Sequence, residues 1–200
     1  MVHRALIFAL AMLVAIATNT FADQWPQPTE SGVISADGRI AVRLTPGSSW
    51  GEVWGFAGAP LGDHARARFY RLDGDEGTYL FYQELALLNP VAPVFAAVSN
   101  EGALVTLDNW HNMGFGPVLA IYSPVGAVVR SYTLEELYRP EQIDKFVASV
   151  SSRWWRCDED PRLDSRRSTL IIVDRLENRL EVDFTTGGVT FYRSETECTE

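Results

Sequence analysis

The chain has 200 residues, 46% of them hydrophobic, and 17 Lys and Arg against 26 Asp and Glu give it a formal net charge of −9. Such a surface repels phosphate backbones, which are bound by clusters of Lys and Arg, so nucleic acid is excluded as an expected partner. The length fits one domain, or at most two small ones, and two cysteines are too few for a thiolate-built metal centre.

In chain order, His3-Arg4 lead into the apolar run Ala5 to Ala17, followed by Thr18-Asn19-Thr20-Phe21-Ala22. A basic start, an apolar centre and small residues three and one places before a break (Thr20, Ala22) are the layout of a cleaved secretory peptide. The run is well short of the ~20 residues that a bilayer-spanning helix needs. Residues 1–22 are therefore expected to be a signal peptide, with the chain exported to the periplasm or secreted and no stable membrane span left after cleavage. Loss of Arg4 with the peptide moves the net charge to −10. Residues 23–31, with Pro26 and Pro28 among polar residues, read as a flexible arm, and 32–200 as a single β-rich domain.

From Gly32 onward, short strand-like runs alternate with turn residues. Val33-Ile34 and Arg39 to Leu44 flank Asp37-Gly38, a hairpin signal. Ala67 to Leu72 and Thr78 to Leu85 flank the turn Asp73 to Gly77. Val94 to Val98, Ala103 to Leu107, Val118 to Tyr122 and Ala127 to Thr133 follow, and Leu170 to Val173, Arg179 to Phe184 and Val189 to Tyr192 close the chain. In the late strands Leu180, Val182 and Phe184 point one way and Glu181, Asp183 and Thr185 the other, which predicts one buried and one wet face. Val118 to Tyr122 is apolar at every position, which predicts an interior strand covered on both sides.

Only one region reads as helix. Thr133-Leu134-Glu135-Glu136 has capping-box form, and Pro140 is placed to open a second short helix whose stripe is Ile143, Phe146 and Val147. The expected fold class is mainly β: antiparallel meanders, open and propeller-like or sandwich-like, with one or two short connector helices at about 134–148. Residues 94–133 hold four strands in up-and-down order, the dimensions of one propeller blade.

The stretch PVFAAVSNEGALVTLDNWHNMGFGPVLAIYSPVGAVVRSYTLEEL, residues 93–137, resembles a propeller-like blade segment of exported bacterial proteins of unassigned function. The resemblance implies a fold class and no activity.

The connection Asp108 to Gly116 gathers an acid, an imidazole, two amides and a tryptophan. A carboxylate beside a histidine orients it and raises its pKa, so Asp108 and His111 are the weak catalytic candidates, those of a hydrolase. Asn109, Trp110 and Asn112 are candidate ligand-binding residues, because loops held by a rigid sheet concentrate such groups. The competing reading is structural: Asp and Asn cap their own turns, Trp110 fills a core edge, and Gly114 and Gly116 supply positive φ. Gly47-Ser48-Ser49-Trp50-Gly51 matches the nucleophile elbow literally but is followed by Gly-rich sequence where that motif needs a helix. Asp73 to Gly77 reads as a solvated hairpin tip ahead of a calcium loop. Arg66-Arg68-Arg71 and Arg162-Arg166-Arg167 suit bidentate carboxylate pairing or intramolecular ion pairs. Of six tryptophans, five lie in or near expected loops, and the pair Trp154-Trp155 reads as a lid on the core.

Cys157 and Cys198 are expected to form a disulfide in an oxidising compartment, which stabilises by roughly 3–4 kcal/mol for a loop of about 40 residues on the chain-entropy model. No zinc spacing or phosphate-cradling glycine loop is present, so no metal and no cofactor are expected. The sequence thus reads as an exported β-rich binding or structural module whose ligand or protein partner lies in the envelope or outside the cell. The alternative is a hydrolase using Asp108 and His111.

Overall fold

A computed structural model describes residues 25–47, 63–74, 76–195 and 198. The expected signal peptide and most of the Gly47 to Gly51 match, together with Trp50 and Trp54, lie outside the described residues.

Three four-stranded antiparallel sheets follow one another, each paired in chain order. The first comprises β1 (Ser31–Ile34), β2 (Ile40–Thr45), β3 (Arg66–Leu72) and β4 (Tyr79–Ala86), and the second β5 (Pro93–Val98), β6 (Leu104–Asn109), β7 (Leu119–Tyr122) and β8 (Val128–Tyr132). Two helical turns, α1 (Leu134–Leu137) and α2 (Pro140–Ile143), and a short hairpin, β9 (Val147–Ala148) with β10 (Arg153–Trp154), lead to the third. That sheet is β11 (Arg162–Asp164), β12 (Thr169–Val173), β13 (Asn178–Asp183) and β14 (Val189–Arg193). The fold is mainly β and its sheets are open, as the alternation in the sequence requires.

The pleat explains the order of the layers. Side chains of successive strand residues leave opposite faces, so Ala96, Val98, Leu104, Ala120 and Tyr122 of the second sheet pack with Val42, Leu44, Ala67 and Phe69 of the first. On the other face, Val105, Leu107, Leu119 and Ile121 pack with Leu170, Ile172, Leu180 and Val182 of the third. The second sheet is therefore the middle layer, and β7 is buried along its whole length, as its unbroken apolar run predicts. Burying one such Leu or Ile side chain stabilises by about 1.5–3 kcal/mol.

The first hairpin is set locally. Gly38 takes φ 72°, and the Asp37 carboxylate accepts from the Ser35 hydroxyl at 2.7 Å and the Arg39 amide at 3.0 Å. The turn after β3 is likewise a hairpin tip, with the Asp73 amide donating to the Thr78 carbonyl at 2.7 Å.

The connector segment follows its sequence signals with one correction. The Thr133 amide donates to the Glu136 carboxylate at 2.8 Å, the reach-back half of a capping box, and Pro140 opens α2. Ile143 and Phe146 are buried, but Val147 is exposed, because the chain leaves the helix and enters β9 before the stripe reaches it. A second correction concerns β13: Leu180, Val182 and Phe184 face the core, yet Glu181 on the expected wet face is also buried. Arg167 (3.0 Å) and Arg179 (2.9 Å) pair with its two oxygens and cover it.

Candidate functional site

The chain leaving β6 turns sharply, with Asp108 at φ 56°, His111 at 70°, Gly114 at 77° and Gly116 at 67°. Left-handed backbone at a non-glycine residue costs roughly 1–2 kcal/mol, so the surrounding bonds must hold the turn in place. Gly114 is required in a second way, since a Cβ there would run into the carbonyl of Arg153.

Those bonds account for most polar groups of the loop. Asp108 is fully buried; its Oδ1 accepts from the Trp155 indole N–H at 2.7 Å and the Gly114 amide at 3.1 Å, and its Oδ2 accepts from Arg156 Nε at 3.0 Å. Burial pushes the Asp108 carboxyl up, against the downward pull of Arg156, Trp155 and Gly114. Asn109 donates to the carbonyls of Phe115 (2.8 Å) and Pro117 (3.2 Å) and accepts from Asn89 at 2.9 Å. Asn112 is buried and bridged to Asn109, its amide on the Asn109 carbonyl at 3.0 Å. Asp108, Asn109 and Asn112 thus meet through internal bonds that shape the turn.

Trp110 and His111 stand apart from that set. The Trp110 indole N–H donates to the Pro26 carbonyl at 2.8 Å. Trp25 meets the Trp110 ring at 5.3 Å and the His111 ring at 5.9 Å, edge on in both cases. His111 is half-buried, and loss of water around it lowers its pKa, which keeps the imidazole neutral at neutral pH. A raised pKa through Asp108 is not what the geometry produces, because that carboxylate is directed to Trp155 and Arg156.

A second buried acid lies nearby. Asp174 accepts from the Tyr138 hydroxyl (2.8 Å), the Asn178 side chain (2.8 Å) and the amides of Leu176 (2.9 Å) and Asn178 (2.7 Å). Burial and the neighbouring carboxylate together push the Tyr138 hydroxyl far up, so it stays a donor. Arg156 pairs with Asp174 through a backbone bridge, so one arginine joins both acids to the same short segment. Immediately after it, Cys157 and Cys198 form the expected disulfide, with Cα atoms 5.3 Å apart.

Trp155, Arg156 and Asn89 escape sequence reasoning, because each reaches the loop from a distant segment. Trp155 is completely buried, as the lid reading of the Trp154-Trp155 pair has it. Among the described residues no group of three or more His, Cys, Asp or Glu is arranged to hold a metal ion, and no helix is long and apolar enough to cross a membrane.

No family model matches the chain, and no curated protein does. Among solved structures it is similar to a periplasmic gluconolactonase of Pseudomonas aeruginosa, at 14% identity over 82% of this chain and 44% of that one, with a TM-score of 0.47. It is also similar to a putative 6-phosphogluconolactonase of Bacteroides fragilis, at 11% identity over 81% of this chain and 43% of that one, with a TM-score of 0.40. The chain spans less than half the length of either.

Proposed function

We propose that this protein is an exported β-rich binding module whose Asp108 to Gly116 loop is a structural clasp. The observation that carries the reading is the fate of Asp108: its two oxygens accept from Trp155, Gly114 and Arg156, which commits the buried carboxylate to holding the turn. Export is supported by the basic, apolar and small-residue leader at 1–22 and by the Cys157–Cys198 disulfide, which suits an oxidising compartment. The resemblance of residues 93–137 to blade segments of exported proteins points the same way. The ligand or partner is then an envelope or extracellular one.

A second reading, a hydrolase, has one observation in its favour: His111 is a neutral, half-buried imidazole between the loop and Trp25, in the protonation state of a general base. The lactone in the name of the first similar structure supplies a probe. Acid release from glucono-δ-lactone, followed with a pH indicator, is expected to match the buffer rate and to be the same for wild type and His111→Asn. Saturable turnover that His111→Asn abolishes would overturn the binding reading and establish the hydrolase. Export is tested by the N-terminal sequence of the protein recovered outside the cytoplasm, which is expected to begin at Asp23; a retained Met1 refutes it.

A further inference from the structure

We propose that the outer face of the third sheet is a binding site for a small monocarboxylate with an apolar or aromatic body, its carboxylate held by Arg179 and Arg162. The proposal deepens the binding-module reading and rests on it. A cavity of about 620 Å³ opens there, within the ~300–1,000 Å³ of small-molecule sites. Strand register builds it: Val173, Arg179 and Tyr192 lie opposite one another across β12, β13 and β14, and Arg162 lies opposite Ile171 in the next row. Ile171 and Val173 give the cavity an apolar floor, and the Tyr192 ring gives it an aromatic wall.

Donor capacity sets the ligand's charge. The Arg179 guanidinium lies 4.9 Å from the Tyr192 ring centre, stacked on it. One of its nitrogens, Nη2, binds Glu181 and Nε is sealed from solvent, which leaves Nη1, without a hydrogen bond among the described residues, as the donor toward the cavity. Arg167 also pairs with Glu181, so that carboxylate is neutralised from both sides and leaves donors of Arg179 unspent. Arg162 is exposed on β11 and makes no ion pair among the described residues. A planar guanidinium matches a carboxylate with two parallel bonds. The opposite sign is also present: Glu159, Asp160 and Glu195 line the same cavity, against Arg162, Arg179 and Arg193, so the acids offset the arginines and oppose a second negative charge. A monoanion satisfies the arginines without crowding these acids, whereas phosphate does not.

The disulfide has a place in this design. Cys157 precedes the Glu159 wall and Cys198 follows the Glu195 wall, so their bond ties the two sides of the cavity together.

Isothermal titration of the whole secreted protein with phenylpropionate tests the site. Saturable one-to-one binding is expected, with phenylpropionamide and inorganic phosphate weaker by tenfold or more. Arg179→Gln and Arg162→Gln are each expected to weaken phenylpropionate roughly tenfold or more, the order of a charge-assisted bond. The Arg162 side chain makes no hydrogen bond or ion pair among the described residues, so its variant is expected to keep the fold and isolate the ligand effect, with circular dichroism as the check. Three results overturn the proposal: no saturable binding of phenylpropionate, equal binding of the amide or phosphate, or undiminished binding by folded Arg162→Gln. Any of these without His111-dependent hydrolysis removes this site and leaves the binding-module reading standing, whereas His111-dependent hydrolysis removes the reading itself.

Discussion

The second and third sheets share one strand order and differ in what covers them. The second is packed on both faces, and the acid at its end, Asp108, is sealed with Arg156 in a pair whose side chains are 0% and 10% exposed. The third is packed on one face, and its acid Glu181 is flanked by Arg167 and Arg179, whose side chains are 59% and 42% exposed. A sheet covered on both sides spends its polar groups on holding the fold; a sheet with one free face keeps donors for a ligand. The contrast is why a structural role is proposed for the Asp108 loop and a binding role for the Arg179 face.

The sharpest way to break that contrast is Arg156→Ala. Removing one partner of a buried pair leaves the other charge without compensation, which costs about 3–5 kcal/mol. Arg167→Ala removes a cation that is itself exposed, and Arg179 still pairs with the buried Glu181, so the loss is expected to be smaller, about 1 kcal/mol. Urea unfolding of the two variants gives the comparison directly; equal losses would show that the exposure of the paired arginine is not what separates the two sites. The same logic applies to apolar groups. Ile121→Ala in the middle layer is expected to lose about 2–5 kcal/mol, whereas Ile34→Ala, on the exposed side of β1, is expected to stay within about 0.5 kcal/mol.

Next in size is the staple on the third sheet. Replacing Cys157 and Cys198 together by Ser is expected to lower stability by roughly 3–4 kcal/mol for a pair 41 residues apart in sequence. Thermal unfolding with and without reductant gives the same answer without mutation. A reductant-insensitive melting temperature would mean that the third sheet does not depend on the cross-link.

The contrast between the sheets was partly legible in the sequence. Val118 to Tyr122 announces a doubly covered strand because no residue in it tolerates water, and Leu180, Val182 and Phe184 announce a one-sided sheet. Glu181 misleads, since a charge in the alternating position reads as wet unless the arginines that cover it, one of them fourteen residues away, are known. The hairpin of β9 with β10, and β11, carry two or three residues each and are too short to show a period. The Asp108 loop was recognisable as chemically unusual; Asp108, Asn109 and Asn112 share its internal bonds, while Trp110 and His111 meet Trp25 instead. Its meaning depends on Trp155 and Arg156, which no local pattern links to Asp108. The cavity beside Arg179 was less visible still, because its floor, wall and rim come from four strands and two connections. Only the Arg162-Arg166-Arg167 cluster pointed toward it.

The smallest expected effect concerns His111, the one group of the clasp left to titrate near neutrality. Its pKa in the folded protein is lowered by burial, so the unfolded chain takes up a proton at a higher pH than the folded one. The stability this contributes is complete above the ordinary value of about 6.5 and is lost as the pH falls through the folded value. His111→Asn keeps the left-handed backbone, which Asn tolerates, and removes the titrating group. Wild type is therefore expected to lose more stability than His111→Asn between about pH 7 and pH 5, so that the gap between them shifts toward the variant on acidification. Parallel melting temperatures across that range would show that the imidazole takes its proton as readily in the fold as outside it. The corner formed with Trp25 would then be open to water, and His111 would stand outside the sealed region that Asp108 anchors.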